Sequence, residues 1–128
     1  MASPEPPVLI VDDDVDIRET LTEILEGRGF EIVSAANGLE ALKLLGSLAT
    51  TPSAILLDLM MPIMDGYEFL EQVAKDPALA AIPVAVITAG HRVDRERLGT
   101  DTLIVPKPID VPRLVTLLRE LRSARPSE

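Results

Sequence analysis

The sequence predicts an α/β domain: a doubly wound, five-stranded parallel sheet flanked by five helices, the fourth of them short. Three observations lead there. Short apolar runs alternate with longer segments of helical period. Four of the runs, Val8–Val11, Ile55–Leu57, Val84–Ile87 and Leu103–Val105, are continuous rather than alternating, so both faces are expected to be buried, as in a parallel sheet covered by helices. The order is strand then helix, five times over, which implies right-handed crossovers.

Taken in order, the first run is followed by Val15 to Arg28, where Ile17, Leu21, Ile24 and Leu25 fall on one stripe and Gly29 supplies a stop. Ile32–Ala36 is the weakest strand, and Asn37-Gly38 after it is a turn signal. Leu39, Leu42, Leu45 and Leu48 are expected to line a second helix, and Tyr67, Leu70, Val73 and Ala74 a third. The segment from Arg92 to Gly99 has only Val93 and Leu98 as apolar residues and makes a poor fourth helix. Leu114, Leu117, Leu118 and Leu121 repeat at helical spacing after Asp110, a suitable N-cap.

A chain of 128 residues with 47% apolar content suits one domain with one core, here placed at residues 8–122. Residues 1–7, MASPEPP, read as a disordered leader without a secretion signal, and residues 123–128 as a tail. No apolar run approaches the roughly 20 residues of a membrane helix. The absence of cysteine excludes disulfides and thiolate metal sites and fits a cytoplasmic location. A net charge of −9 argues against direct nucleic-acid binding. Residues 1–26 hold eight acids against one base, Arg18. Arg113, Arg119, Arg122 and Arg125 are expected to form a solvated helix face and tail.

Ligands of such sheets bind outside the carboxyl ends of the strands. The first run ends in Asp12-Asp13, the third in Asp58, the fourth in Thr88, and the fifth, one residue late, in Pro106-Lys107-Pro108. Carboxylates, a hydroxyl and an ammonium are therefore expected on one edge. Two carboxylates about 4 Å apart repel by roughly 4 kcal/mol at an effective dielectric near 20, so a cation is expected among them. Clustered carboxylate oxygens suit Mg²⁺. An Asp carboxylate can act as a nucleophile and form an aspartyl phosphate. His91, the one histidine, sits after Thr88 and is read as exposed. Met60, Met61 and Met64 resemble a soft binding patch, with at least one of them in the core.

Four pieces, VLIVDDD from Val8, LLDLMMPIMDG at residues 56–66, VITA at 86–89 and PKPI at 106–109, resemble the receiver domain of a two-component response regulator, of the single-domain, chemotaxis-regulator-like kind. The match runs from residue 8 to about 122. The resemblance implies a flavodoxin-like fold with strand order 2-1-3-4-5. It implies that Asp58 accepts a phosphoryl group from a sensor histidine kinase or phosphotransfer protein, and that Thr88 and Lys107 bind the phosphate. Mg²⁺ (or Mn²⁺) would be held by Asp13 directly, Asp12 mainly through water, Asp58, and the backbone carbonyl of Met60. Pro62 and Gly66 would shape the loop after Asp58, Asp65 would cap the next helix, and Asp14 would cap the first. A cis bond before Pro108 is also implied. The domain would be no enzyme beyond its own phosphorylation and dephosphorylation, would address a downstream protein target, and admits a phosphorylation-dependent dimer.

Two departures stand out. Ile104 occupies the position three before the lysine where many receivers carry an aromatic, and the segment from Thr88 to Lys107 is about three residues short, with Gly99-Thr100 one residue out of register. Tyr67 is read as packing. Two other functions remain in competition: a phosphorylation-independent receiver-like scaffold, and an Mg²⁺-dependent aspartyl-phosphate phosphatase using Asp12-x-Asp14.

Overall fold

The computed structural model describes residues 6–88, 93–99 and 102–124. Its elements run β1 (Val8–Val11), α1 (Val15–Glu26), β2 (Ile32–Ala35), α2 (Gly38–Ser47), β3 (Ala54–Asp58), α3 (Gly66–Val73), α4 (Pro77–Ala80), β4 (Val84–Thr88), α5 (Arg95–Leu98), β5 (Leu103–Pro106) and α6 (Val111–Ala124). All strand pairs are parallel and the order is β2-β1-β3-β4-β5. The expected sheet is therefore present in its expected order.

Alternate residues of the central strands face opposite layers. Leu9, Val11, Ile55, Leu57 and Val86 pack with Ala41 and Leu45 of α2 and Phe69 and Val73 of α3. Val8, Ile10, Leu56 and Ile87 pack with Leu21 and Leu25 of α1 and Leu114, Val115 and Leu118 of α6. Each such side chain contributes roughly 1.5–3 kcal/mol by leaving water, so two covered faces hold the central strands rigidly. That rigidity positions the strand ends.

Helix boundaries have local causes. Asp14 accepts from the N–H groups of Asp16 and Ile17 at the start of α1. That helix closes through Gly29, whose φ of 91° lets Gly29 N–H reach Glu26 O and Phe30 N–H reach Leu25 O. Asp65 and Glu68 form a reciprocal capping box on α3. Asp110 accepts from the Arg113 N–H at the start of α6.

Five sequence expectations need correction. Among the described residues there are six helices, not five: Asp76-Pro77 starts an extra single turn, because the Asp76 side chain caps Ala78 N–H and proline needs no N–H at the first position. The fourth predicted helix, α5, is only Arg95–Leu98. Strand β5 is not buried on both faces, since it lies at the sheet edge and Leu103 is exposed. In α2 the buried residues are Gly38, Ala41 and Leu45, while Leu39 is exposed. In α3 the fully buried residue is Phe69, which the tyrosine-centred stripe passed over. His91, Gly90, Thr100 and Arg125 lie outside the described residues, as do residues 1–5. Pro7 is buried, and its carbonyl accepts from Ser53 N–H at 2.9 Å. Among the described residues no helix is long and apolar enough to cross a membrane.

Candidate functional site

Parallel pairing brings the ends of β1 and β3 side by side: Val11 stands opposite Leu57, so Asp12 and Asp58 follow on neighbouring strands. Asp12, Asp13 and Asp58 each offer a carboxylate oxygen, and these oxygens lie within 4.8 Å of one another. Asp12 is buried, Asp58 half-buried and Asp13 exposed. Burial pushes the Asp12 carboxyl above the ordinary carboxylate range; the Asp14 N–H and Lys107 pull it back, while Asp58 and Asp13 push it further. Asp58 is raised as well, chiefly by burial and also by Asp13, against the Met60 N–H and Lys107. At both central carboxylates, burial and the neighbouring acids thus outweigh the opposing Lys107 charge.

The loop after β3 is tightly specified. Met60 N–H donates to Asp58 Oδ1 at 3.3 Å, and the Met60 side chain is 60% exposed. Met61 is buried in the core, as one of the three methionines was expected to be. Met64 N–H reaches Pro62 O at 2.8 Å across Ile63, whose φ is 72°. A β-branched residue seldom adopts that conformation, which costs on the order of 1–3 kcal/mol. Gly66 then passes beneath the acid: a Cβ there would stand 2.7 Å from Asp58 O and 2.8 Å from Leu59 Cα. Glycine is required at this point by close approach alone.

Thr88 ends β4, and Lys107 follows the end of β5. Lys107 N–H donates to Thr88 O at 2.8 Å, which ties the two strand ends together. The Lys107–Pro108 bond is cis. The lysine charge acts on both Asp12 and Asp58, yet among the described residues it makes no ion pair with either. Among the described residues, Thr88 Oγ1 is buried and has no hydrogen-bond partner. Such an atom costs about 1–3 kcal/mol unless something fills its valence. Asp14, by contrast, is spent on capping α1, and Asp12 Oδ1 accepts its N–H.

Sequence reasoning missed Arg18. Its Nη1 donates to Asp12 O at 2.6 Å, tying the first turns of α1 to the β1 end. No motif signals it; only the fold of α1 over β1 makes the pair. The arginines of α6 serve the α1 side: Arg122 stacks over the Phe30 ring at 4.7 Å, and Arg119 reaches Arg28 O.

Comparison with known proteins agrees with this geometry. Residues 8–119 match the model of the response regulator receiver domain. The chain is 38% identical over 126 residues to a transcriptional regulatory protein, a CpxR homolog of Haemophilus influenzae, covering 94% of this chain and 52% of that protein. It is 34% identical over 119 residues to the response regulator Rre1 of Synechocystis, covering 89% and 50%. The chain spans about half the length of these curated relatives. Among solved structures, it resembles the signal receiver domain of a signal transduction histidine kinase from Syntrophus aciditrophicus, with a TM-score of 0.80, 31% identity, and coverage of 96% and 95%. It also resembles the chemotaxis protein CheY4 of Vibrio cholerae, with a TM-score of 0.80, 27% identity, and coverage of 92% and 99%. With a family model matched over most of its length and the five-stranded 2-1-3-4-5 sheet that family shares, the chain belongs to the response regulator receiver domains of two-component systems.

Proposed function

We propose that this receiver domain takes a phosphoryl group onto Asp58 from a histidine kinase or phosphotransfer protein, and thereby switches a protein-interaction surface. One observation carries the reading: three carboxylates from two strand ends meet within 4.8 Å, with no cation of the chain paired to them among the described residues. The donor set is all oxygen, which suits Mg²⁺ or Mn²⁺. Around one Mg²⁺ with bonds near 2.1 Å, ligand oxygens stand about 3 Å apart when adjacent and about 4 Å when opposite, close to the spacing here. Asp12, Asp13, Asp58 and the Met60 carbonyl would hold the ion, which supplies charge neutralisation to carboxylate and phosphate alike.

The chain's own residues account for the rest. An ionised Asp58 carboxylate oxygen attacks phosphorus, the P–O bond forms as the P–N bond to the donor imidazole breaks, and the electron pair leaves on that nitrogen, which takes a proton from solvent. The nucleophile carries no proton to remove, so no histidine is needed on this side. Thr88 Oγ1 donates its hydrogen to a phosphate oxygen and so gains the partner it lacks among the described residues. Lys107, which acts on Asp58 without contacting it, meets the phosphate charge. The filled site then shifts an equilibrium between two surfaces.

Asp14 weighs against the phosphatase alternative, because its side chain is occupied at the helix start rather than at the acid cluster. The scaffold alternative leaves the Thr88 hydroxyl, which has no partner among the described residues, without a purpose. The reading covers residues 8–122 as the working unit, in the cytoplasm, with a protein as target; the net charge of −9 supports the absence of direct nucleic-acid contact within these 128 residues.

Incubation with acetyl phosphate and Mg²⁺ followed by intact mass tests it. A gain of one phosphoryl group, absent in Asp58→Asn and absent without divalent metal, is expected. A label that persists in Asp58→Asn would overturn the assignment.

A further inference from the structure

Helix α5 is one turn long, far below the roughly 12–15 residues at which a helix begins to hold itself in water. Its place therefore depends on tertiary ties, and those among the described residues can be named. On one side Tyr67 of α3 accepts the Asp94 N–H on its hydroxyl at 2.9 Å. Arg97 lies over the same ring at 4.6 Å and pairs with Glu71 at 3.0 Å. On the other side Arg95 Nη1 donates to Thr102 O at 2.7 Å, and Thr102 Oγ1 donates to Leu98 O at 2.8 Å. Only Leu98 of the helix is buried.

These ties are unequal. The Arg97–Glu71 pair is exposed, at 41% and 52%, and such pairs contribute little. The Tyr67 hydroxyl engages the backbone N–H of the N-cap residue, at the end of α5 nearest in sequence to Thr88. Its ring packs against the same core cluster as Leu98 and Val93. Thr88 and Asp94 are six positions apart, and Thr88 is also tied through Lys107 to the end of β5, whose start adjoins Thr102. Thr88 is thus linked along the chain to Asp94 and through Lys107 to β5, which adjoin the two flanks of α5.

We propose that Tyr67 is the positioning residue that couples the phosphorylation site to α5: its hydroxyl clamps α5 onto α3 in the unphosphorylated domain, and the movement of Thr88 toward the phosphate breaks that clamp and frees the α3–α5 face. The proposal rests on the phosphoacceptor reading. It assigns the signal to α3, on the opposite side of α5 from β5, and so makes an aromatic at Ile104 unnecessary.

The chain has one tyrosine and no tryptophan, so its intrinsic fluorescence reports Tyr67 alone. The full chain with Mg²⁺ is treated with acetyl phosphate, intact mass gives the fraction labelled, and hydrogen exchange is followed in the peptide containing residues 93–99. Labelling is expected to change the tyrosine emission and to speed exchange at α5 about five-fold, the equivalent of one net hydrogen bond. Unlabelled Tyr67→Phe is expected to exchange at that faster rate already, to accept the phosphoryl group as well as wild type, and to show no further step on labelling. A merely structural role would leave that step intact. Glu71→Gln, which keeps the hydroxyl, is expected to retain it. Labelled wild type with unchanged exchange at α5, or a Tyr67→Phe protein with the full step, would overturn the coupling while the phosphoacceptor reading stands. No mass gain in wild type would overturn both.

Discussion

Strands β1 and β5 are both four residues long, parallel, and apolar in sequence, VLIV and LIVP. β1 has a neighbour on each side and every residue is buried, at 0–1% exposure. Among the described residues β5 pairs only with β4, and both its ends are exposed. Similar apolar runs thus give a core strand in one place and an edge in the other. The difference decides what each region can do. The β1–β3 side holds Asp12 and Asp58 on strand ends that two packed layers immobilise. The β5 side, with one-turn α5 beside it, carries little burial and can shift at small cost, which suits a region that must respond.

The contrast can be broken most directly at Phe69, which is fully buried under the acid-bearing strands. Phe69→Ala is expected to destabilise by about 3–5 kcal/mol in urea unfolding, since the cavity adds to the lost transfer energy. A loss under about 1 kcal/mol would mean that the layer beneath the site is not close-packed.

A second, smaller effect concerns charge. Asp58 has its pKa raised above the ordinary 3.8, so the folded metal-free protein binds this proton more tightly than the unfolded chain does. Its favourable contribution is therefore fully present below the unfolded value and is lost as pH rises through the higher folded one. Asp58→Asn, neutral throughout, should raise the Tm of metal-free protein at pH 7, and the gain should vanish on titration to pH values below that window. Mg²⁺ should then stabilise wild type more than the variant, by binding the folded state alone. Equal Tm values at pH 7 in a chelator would show that Asp58 is not strained by burial.

The smallest effect belongs to the edge. Leu103→Ser on β5 is expected to change stability by no more than about 0.5 kcal/mol, as for surface positions generally. A loss comparable to that of Phe69→Ala would erase the distinction between the two strands.

Much of this was legible in the residues. Continuous apolar runs identify parallel strands because both faces need covering, and the residue after each run then falls on one rim by topology alone. Asp12, Asp13, Asp58, Thr88 and Lys107 are placed at the rim in that way, and the three aspartates do meet there; the caps are legible separately, Asp110 from the helical repeat after it and Asp14 and Asp65 from the family resemblance, because each side chain acts within three residues of its own position. Periodicity served less well inside α2 and α3. There Ala41 and Phe69, not Leu39 and Tyr67, take the most buried positions, because each helix turns on its axis to fit its neighbours.

By itself, then, the chain determined the kind of fold, the order of its elements and the chemical groups at the rim, since those follow from local preference and from the alternation of buried and exposed segments. Only the tertiary structure decided which apolar strand became the edge, that Arg18 would reach the Asp12 carbonyl, and that Tyr67 would hold α5. Those outcomes depend on contacts between segments remote in sequence, and no local pattern encodes a distance across space.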